Sequence, residues 1–549
     1  LRLSGESMAC YPPSLWEVGR IMSKRIGIFG WGIVAPRSPN VAAFEKNLSR
    51  ATSWLEPFDG FGPSNFLVGH PEFEFETYRP WIDQRFEPRR YSQLDSKMGN
   101  TVKYAVGAFI QSLEQNPGME KLLQTLGPLA HVYVGTGIGD FPLQYELILR
   151  YHRAQRIWNR FWCRDEHNEE LKKYKALDEG EKADLREQLG APADPGSIDR
   201  NADDWELLEA EWNAFWISRS NGLRQYLARL REVEGESIGG DIENGKGPLI
   251  RRKMAARRRL NSEYGCPTEP WNAADPNLLW NIPNIPAAQI SMLGRITGPA
   301  VAPVAACAGF SVSVKMAIDA INSGQAKVCV IGMTDPEPHA LSVGAFFGAR
   351  VLSHDGSVSK PFTGMRGTHI AGGACIWILG DADYLIDQGF EPLGLEILSV
   401  GLSSDADHII TPSEEGPRIA IRQALAEAGI EPEDVATWDM HATATPGDWT
   451  ELQNTLAVLP GSMAITARKG TFGHGMSVCG GWELTAQHLG FSKGALLPVN
   501  LEGAEVHDQI RPYYHRLVQD EAHPTEGDVA GKINMGVGGI NACTICRRW

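Results

Sequence analysis

Two patterns of apolar residues divide the chain. Up to about residue 140, and again from about 283 onward, short apolar runs alternate with stretches of helical period. Residues 25–34 (Arg-Ile-Gly-Ile-Phe-Gly-Trp-Gly-Ile-Val) read as a buried strand whose glycines allow close packing. Helices are predicted over 41–50 and over 96–114, where Val102, Ala105, Val106, Phe109, Ile110 and Leu113 share one side. Residues 55–92 are rich in Pro, Phe and Trp and read as irregular. A strand over 130–135 ends in Gly135-Thr136-Gly137-Ile138-Gly139-Asp140, which lacks the spacing of a phosphate loop and reads as a tight turn. Beyond 283 the predicted strands are 327–332, 374–379, 392–402, 435–440 and 463–467, with closing strands over 529–546. Helices fall over 311–322, 416–429 and 482–489, Gly429 being placed as a left-handed terminator. Residues 344–348 read as a glycine-rich loop. Strand–helix alternation in both regions predicts an α/β protein with largely buried sheets.

Between them, roughly 150–276, charges and helix formers dominate. Trp205, Trp212, Phe215 and Trp216 recur at helical spacing and predict the packed face of an inserted helix pair. Arg251-Arg252-Lys253 and Arg257-Arg258-Arg259 make a dense basic cluster, either a solvated helix face or a docking patch for an acidic partner. A length of 549 residues exceeds one ordinary core. The net charge of −15 argues against general nucleic-acid binding. Nine scattered cysteines, an odd number, suit a reducing cytoplasm better than a disulfide framework. No apolar run reaches a membrane span, and residues 1–21 lack the apolar centre of a secretory signal. Met22 precedes the first strand directly, so residues 1–21 read as a tag or upstream extension.

Candidate chemistry sits at strand ends. In Pro303-Val304-Ala305-Ala306-Cys307-Ala308-Gly309-Phe310 a short apolar run ends in a cysteine, and a helical pattern begins at Ser311. A thiol at a helix N-terminus meets backbone N–H groups and the positive end of the macrodipole, which favour the thiolate. Taken alone, Cys307 reads better as a buried core cysteine. His441 opens His441-Ala442-Thr443-Ala444-Thr445-Pro446-Gly447-Asp448, and Lys469-Gly470-Thr471-Phe472-Gly473-His474-Gly475 brings a lysine and a second histidine. A glycine-rich loop, Met535-Gly536-Val537-Gly538-Gly539-Ile540-Asn541-Ala542, lies near the C-terminus. Two histidines and a cysteine are also a zinc donor set, but their spacings are very long and Lys469 would repel a cation. A Cys–His protease pair leaves the second histidine and the lysine unexplained.

Taken in order, these four motifs resemble the β-ketoacyl-acyl carrier protein synthases of the elongating, Cys-His-His type. Ala305–Gly309 resembles the nucleophile motif, His441–Asp448 the first histidine motif, Lys469–His474 the lysine–histidine motif and Met535–Ala542 the gate loop. Gly401–His408, Leu352-Ser353 and Lys360-Pro361-Phe362 agree as well. The resemblance covers about residues 24–140 and 280–549. It implies a thiolase-like five-layer α-β-α-β-α core built from two similar halves, with a large, mainly helical insertion. The divisions are then an extension or tag over 1–23, an N-terminal half over 24–390 containing the insertion at about 150–276, and a C-terminal half over 391–549. It also implies decarboxylative Claisen condensation of an acyl thioester with malonyl-acyl carrier protein, giving a 3-oxoacyl thioester, in fatty acid or polyketide-type biosynthesis.

By the same resemblance Cys307 is the nucleophile. Backbone N–H groups of Cys307 and Val537 form the oxyanion hole, and His441 and His474 stabilise the enolate. Lys469 positions His474. Thr443 and Thr445 bond the phosphopantetheine arm, and Met535, Val537 and Phe347 line the substrate channel. No metal or tightly bound cofactor is implied; substrates arrive on the phosphopantetheine of acyl carrier protein or on coenzyme A. A homodimer is implied, and a heterodimer with a related synthase also fits. Three departures stand out: Gly372-Gly373-Ala374 replaces a Gly-acid-Gly run, Met535 and Val537 replace paired aromatics, and the insertion is large. A non-catalytic chain-length-type partner subunit and a thiolase-fold acyltransferase without condensation remain as alternatives.

Overall fold

The computed structural model describes residues 24–238, 241–409, 413–459 and 462–549. The extension read over 1–23 lies outside the described residues. Two compact units emerge, one formed by the chain up to Pro142 with Leu279–Trp549, the other by Leu143–Leu278.

The first unit is built on ten strands: β1 (Ile26–Val34), β2 (Ala130–Gly135), β3 (Ala300–Val301), β4 (Val328–Asp335), β5 (Gly373–Asp381), β6 (Leu393–Ser404), β7 (Val435–Asp439), β8 (Ala464–Thr466), β9 (Val529–Gly536) and β10 (Ile540–Arg547). Their order across the sheet is β8-β7-β9-β10-β6-β1-β5-β4-β2-β3. Each half therefore runs first-fifth-fourth-second-third, outward from the β6–β1 seam. Directions match too. β1/β5 and β5/β4 are antiparallel while β4/β2 and β2/β3 are parallel, and β6/β10, β10/β9, β9/β7 and β7/β8 repeat this sequence. The seam pairs Ile26 with Ile397 and Ile28 with Leu393.

Helices make the remaining layers. The Asn100–Ser112 helix packs on β1 and β5, with backbone so close that a Cβ on Gly30 or Gly32 would lie 2.0 or 1.9 Å from the Ser112 or Ala108 carbonyl oxygen. The Gly309–Asn322 and Cys479–Phe491 helices pack on each other in the middle layer, and the Glu415–Ala428 helix covers β6 and β10. These are the five layers of a thiolase-like core, whose apolar contents run through Phe310, Trp377, Trp438 and Trp482.

Three local expectations change. The helix read over 96–114 is broken into Arg90–Lys97 and Asn100–Ser112, because Gly99 donates to Asn281 (2.6 Å) against Asp140. Residues 344–348 belong to a helix, Ala340–Gly348, rather than a loop. The apolar run before Cys307 is strand only at Ala300–Val301, and a turn of 3₁₀ helix, Ala306–Ala308, presents the cysteine.

The second unit is helical, with Trp205–Ile217, Asn221–Glu234 and Ile242–Tyr264 among its elements. Trp212 and Trp216 are buried against Tyr174 and Phe215 packs at the margin of that cluster, while Trp205 is half-buried outside it, with Arg200 over its ring. Arg257 is spent on Glu234 and Asn272, whereas Arg251, Arg252, Arg258 and Arg259 are exposed on the Ile242–Tyr264 helix. Among the described residues, no helix is long and apolar enough to cross a membrane.

Candidate active site

The sequence-level candidates converge on one cavity of about 300 Å³ in the first unit. Cys307, His441 and His474 meet at it, with the thiol sulfur and a ring nitrogen of each histidine all within 4.8 Å of one another. Thr443, Thr445, Met535 and Val537 line it as well. Phe347 does not. Its ring packs edge-on against Phe66 (5.4 Å) and beside His354, and the preceding residue, Phe346, faces the cavity. One residue on a helix turns a side chain by about 100°, so reading this segment as loop misplaced the aromatic.

Cys307 sits just ahead of the Gly309–Asn322 helix, preceded by Ala306 in the left-handed region (φ 45). Here the thiolate expectation needs correction. Burial pushes the thiol up to about 11, and the Lys469 ammonium and the Val537 N–H only partly oppose it.

The His441 loop is pinned from below by the Gly447–Val458 helix. Glu451 accepts the N–H of His441 (2.6 Å) and Ala442 (2.8 Å), and Asp448 accepts those of Thr443 (2.8 Å), Ala444 (3.1 Å) and Phe362 (3.1 Å). His474 Nδ1 accepts from the Met476 N–H at 3.1 Å, which leaves the proton of the neutral ring on Nε2. The two imidazoles stand edge to face at 5.4 Å. Burial and then the Lys469 charge hold both well below the usual histidine range. Donor spacing alone would admit a cation. Burial, and secondarily the Lys469 charge, keeps both rings neutral, so each can donate a hydrogen bond to an oxyanion brought to the thiol.

Two family models match the chain, "Beta-ketoacyl synthase, N-terminal domain" over residues 257–382 and "Beta-ketoacyl synthase, C-terminal domain" over 395–501. The chain belongs to the β-ketoacyl synthase family. This ketosynthase is 29% identical over 287 residues to Nodulation protein E of Rhizobium meliloti, a match spanning 51% of the chain and 69% of that protein. It is 29% identical over 278 residues to 3-oxoacyl-[acyl-carrier-protein] synthase 2 of Rhizobium meliloti (strain 1021), spanning 48% and 65%. Its fold matches a type II PKS acyl-carrier protein in complex with its ketosynthase bound to the hexaketide, with TM-score 0.59 and 16% identity over 96% of this chain and 100% of that one.

The ketosynthase site also contains residues that sequence reasoning passed over. Lys469 is fully buried, donates to the His441 carbonyl, and pairs with Glu483 at 2.6 Å. Glu483 comes from the Cys479–Phe491 helix, so the lysine has an acidic partner although residues 372–374 supply none. Its signal was a lone carboxylate in an otherwise uncharged helix. Asp448 and Glu451 carried a weaker one, acids just inside a helix start.

Glu451 makes a pH prediction. Burial and the nearby Asp448 carboxylate push it up to about 8. Between the ordinary carboxylate range and pH 8 the folded ketosynthase keeps a proton that the unfolded chain has released, so stability falls as pH rises across that window. Glu451→Gln removes this slope. Melting temperatures from pH 5 to 8.5 check it: the parent declines more steeply than the variant.

Proposed function

We propose that this ketosynthase carries out decarboxylative condensation of an acyl thioester with a malonyl thioester, as an acyltransferase of the 3-oxoacyl-[acyl-carrier-protein] synthase type. The observation that carries the reading is the approach of one thiol and two neutral imidazoles at the floor of a single cavity. Cys307 sulfur attacks the acyl thioester carbonyl, and its proton leaves with the carrier thiol. The N–H groups of Cys307 and Val537 receive the oxyanion. The malonyl carboxylate then departs as carbon dioxide, with His474 Nε2–H and His441 donating to the enolate oxygen. The enolate carbon attacks the acyl-cysteine carbonyl and expels Cys307 as a thiolate, which takes a proton from water, leaving a 3-oxoacyl thioester and the starting thiol. A partner subunit without chemistry has no use for this grouping, so the catalytic reading is preferred.

Thr443 and Thr445 have hydroxyls 3.0 Å apart at the cavity wall and are assigned to the phosphopantetheine arm. Acyl carrier protein is the proposed partner and the cytoplasm the proposed compartment. All eight cysteines among the described residues are free thiols, which supports a reducing location. A homodimer is proposed at the β3 edge, where Val301 and Val304 are 44% and 64% exposed.

Release of labelled carbon dioxide from malonyl thioester, with formation of an acyl adduct on the protein, tests the condensation. An adduct without carbon dioxide indicates acyl transfer alone. Arg258→Glu with Arg259→Glu tests carrier docking on the exposed basic face. KM for carrier-bound substrate should rise about tenfold while KM for coenzyme A thioesters holds. Equal KM values in variant and parent make the cluster an ordinary solvated face.

A further inference from the structure

Lys532 is a buried cation that the condensation as written leaves unused. It lies in β9 among small and apolar residues and is 0% exposed. A desolvated ammonium persists only when paired. Lys532 Nζ stands 3.0 Å from Asp439 Oδ1 and 2.9 Å from Glu483 Oε2, and it donates to the carbonyls of Ile533 (2.9 Å) and Met440 (3.3 Å). The other Glu483 oxygen holds Lys469, which in turn donates to the His441 carbonyl. The other Asp439 oxygen accepts from Thr466 at 2.5 Å, at the end of the strand that leads to Lys469. Two ammonium groups thus grip consecutive carbonyls, Met440 and His441, and share one carboxylate. Among the four ion-paired side chains two cations face two anions, with the buried Arg468 guanidinium close enough to feel both carboxylates, and the set joins the ends of β7, β8 and β9 to the Cys479–Phe491 helix. Cys307 belongs to the other half of the sheet and makes no hydrogen bond or ion pair with these four side chains among the described residues; only the Lys469 charge reaches its thiol, through space.

We propose that Lys532 is a positioning residue for the decarboxylating half-reaction: by fixing Glu483 and the Met440 carbonyl it holds Lys469 and the His441 imidazole in working geometry, while acyl transfer to Cys307 proceeds without it. The inference rests on the condensation proposed above. A misplacement of about 1 Å at such a group costs on the order of 100-fold.

The test uses the full chain with two probes, hexanoyl-coenzyme A for acylation and carboxyl-labelled malonyl-coenzyme A for carbon dioxide release. Lys532→Met should release carbon dioxide about 100-fold more slowly and acylate Cys307 at close to the parent rate. Equal loss of both half-reactions, or loss of neither, overturns the proposal. If the single variant does not fold, Lys532→Met with Asp439→Asn removes one charge of each sign and decides on the same two readouts. Failure of both variants to fold, seen by thermal unfolding, makes Lys532 a folding residue only and also overturns it. A parent enzyme that neither acylates nor releases carbon dioxide refutes the condensation itself, an outcome distinct from the selective loss sought in the variants.

Discussion

Cys307→Ala forms no acyl adduct. Intact mass after incubation with acyl thioesters should show the parent gaining one acyl group and the variant gaining none, with condensation at background. The expectation follows from geometry rather than from an activated sulfur. With its thiol pushed up to about 11, Cys307 reacts through the small thiolate fraction at neutral pH, or as substrate binding brings the sulfur and the Val537 N–H to one carbonyl. Acylation should therefore accelerate as pH rises from 7 to 9. An adduct retained on the alanine variant would remove the nucleophile assignment and move the reaction to another of the free thiols.

His474→Ala gives the second large effect. Removing one preorganised donor to a developing oxyanion costs about 10²–10³-fold, so carbon dioxide release should fall by that factor while acylation of Cys307 persists. His441→Ala should behave alike. Both rings lie well below the usual histidine range, so they remain neutral as pH drops from 7.5 to 6. The release rate should show no acid limb in that interval. A limb near pH 6.5 would mean that at least one imidazole titrates normally and that burial, with the Lys469 charge, does not hold it neutral.

Cys307, His441, Lys469 and His474 were legible because each follows a short apolar run and sits in a short motif of small residues. The α/β architecture was legible from the alternation of periods for the same reason: both signals are local. What escaped was decided between distant elements. Glu483 and Lys532 are 49 positions apart and meet only because the Cys479–Phe491 helix lies against β9. A helix N-terminus argues locally for a thiolate at Cys307, yet desolvation by the surrounding fold outweighs it. Phe346 and Phe347 differ by one helical step, and that step is invisible when the segment is read as loop. Of the stripe Trp205, Trp212, Phe215 and Trp216, the last three pack in one cluster and Trp205 lies outside it, because helical spacing does not say where the partner helix ends.

The repeated strand order has a mechanical consequence. In each half the turn after the third strand faces the cavity: after β3 it carries Cys307, after β8 it carries Lys469 and His474. Equivalent turns of two like lobes form the two jaws of one vice, one holding the nucleophile and the other the hydrogen-bonding rings. The lobes meet at the β1–β6 seam, so the sulfur and the imidazoles are carried by opposite sides of it.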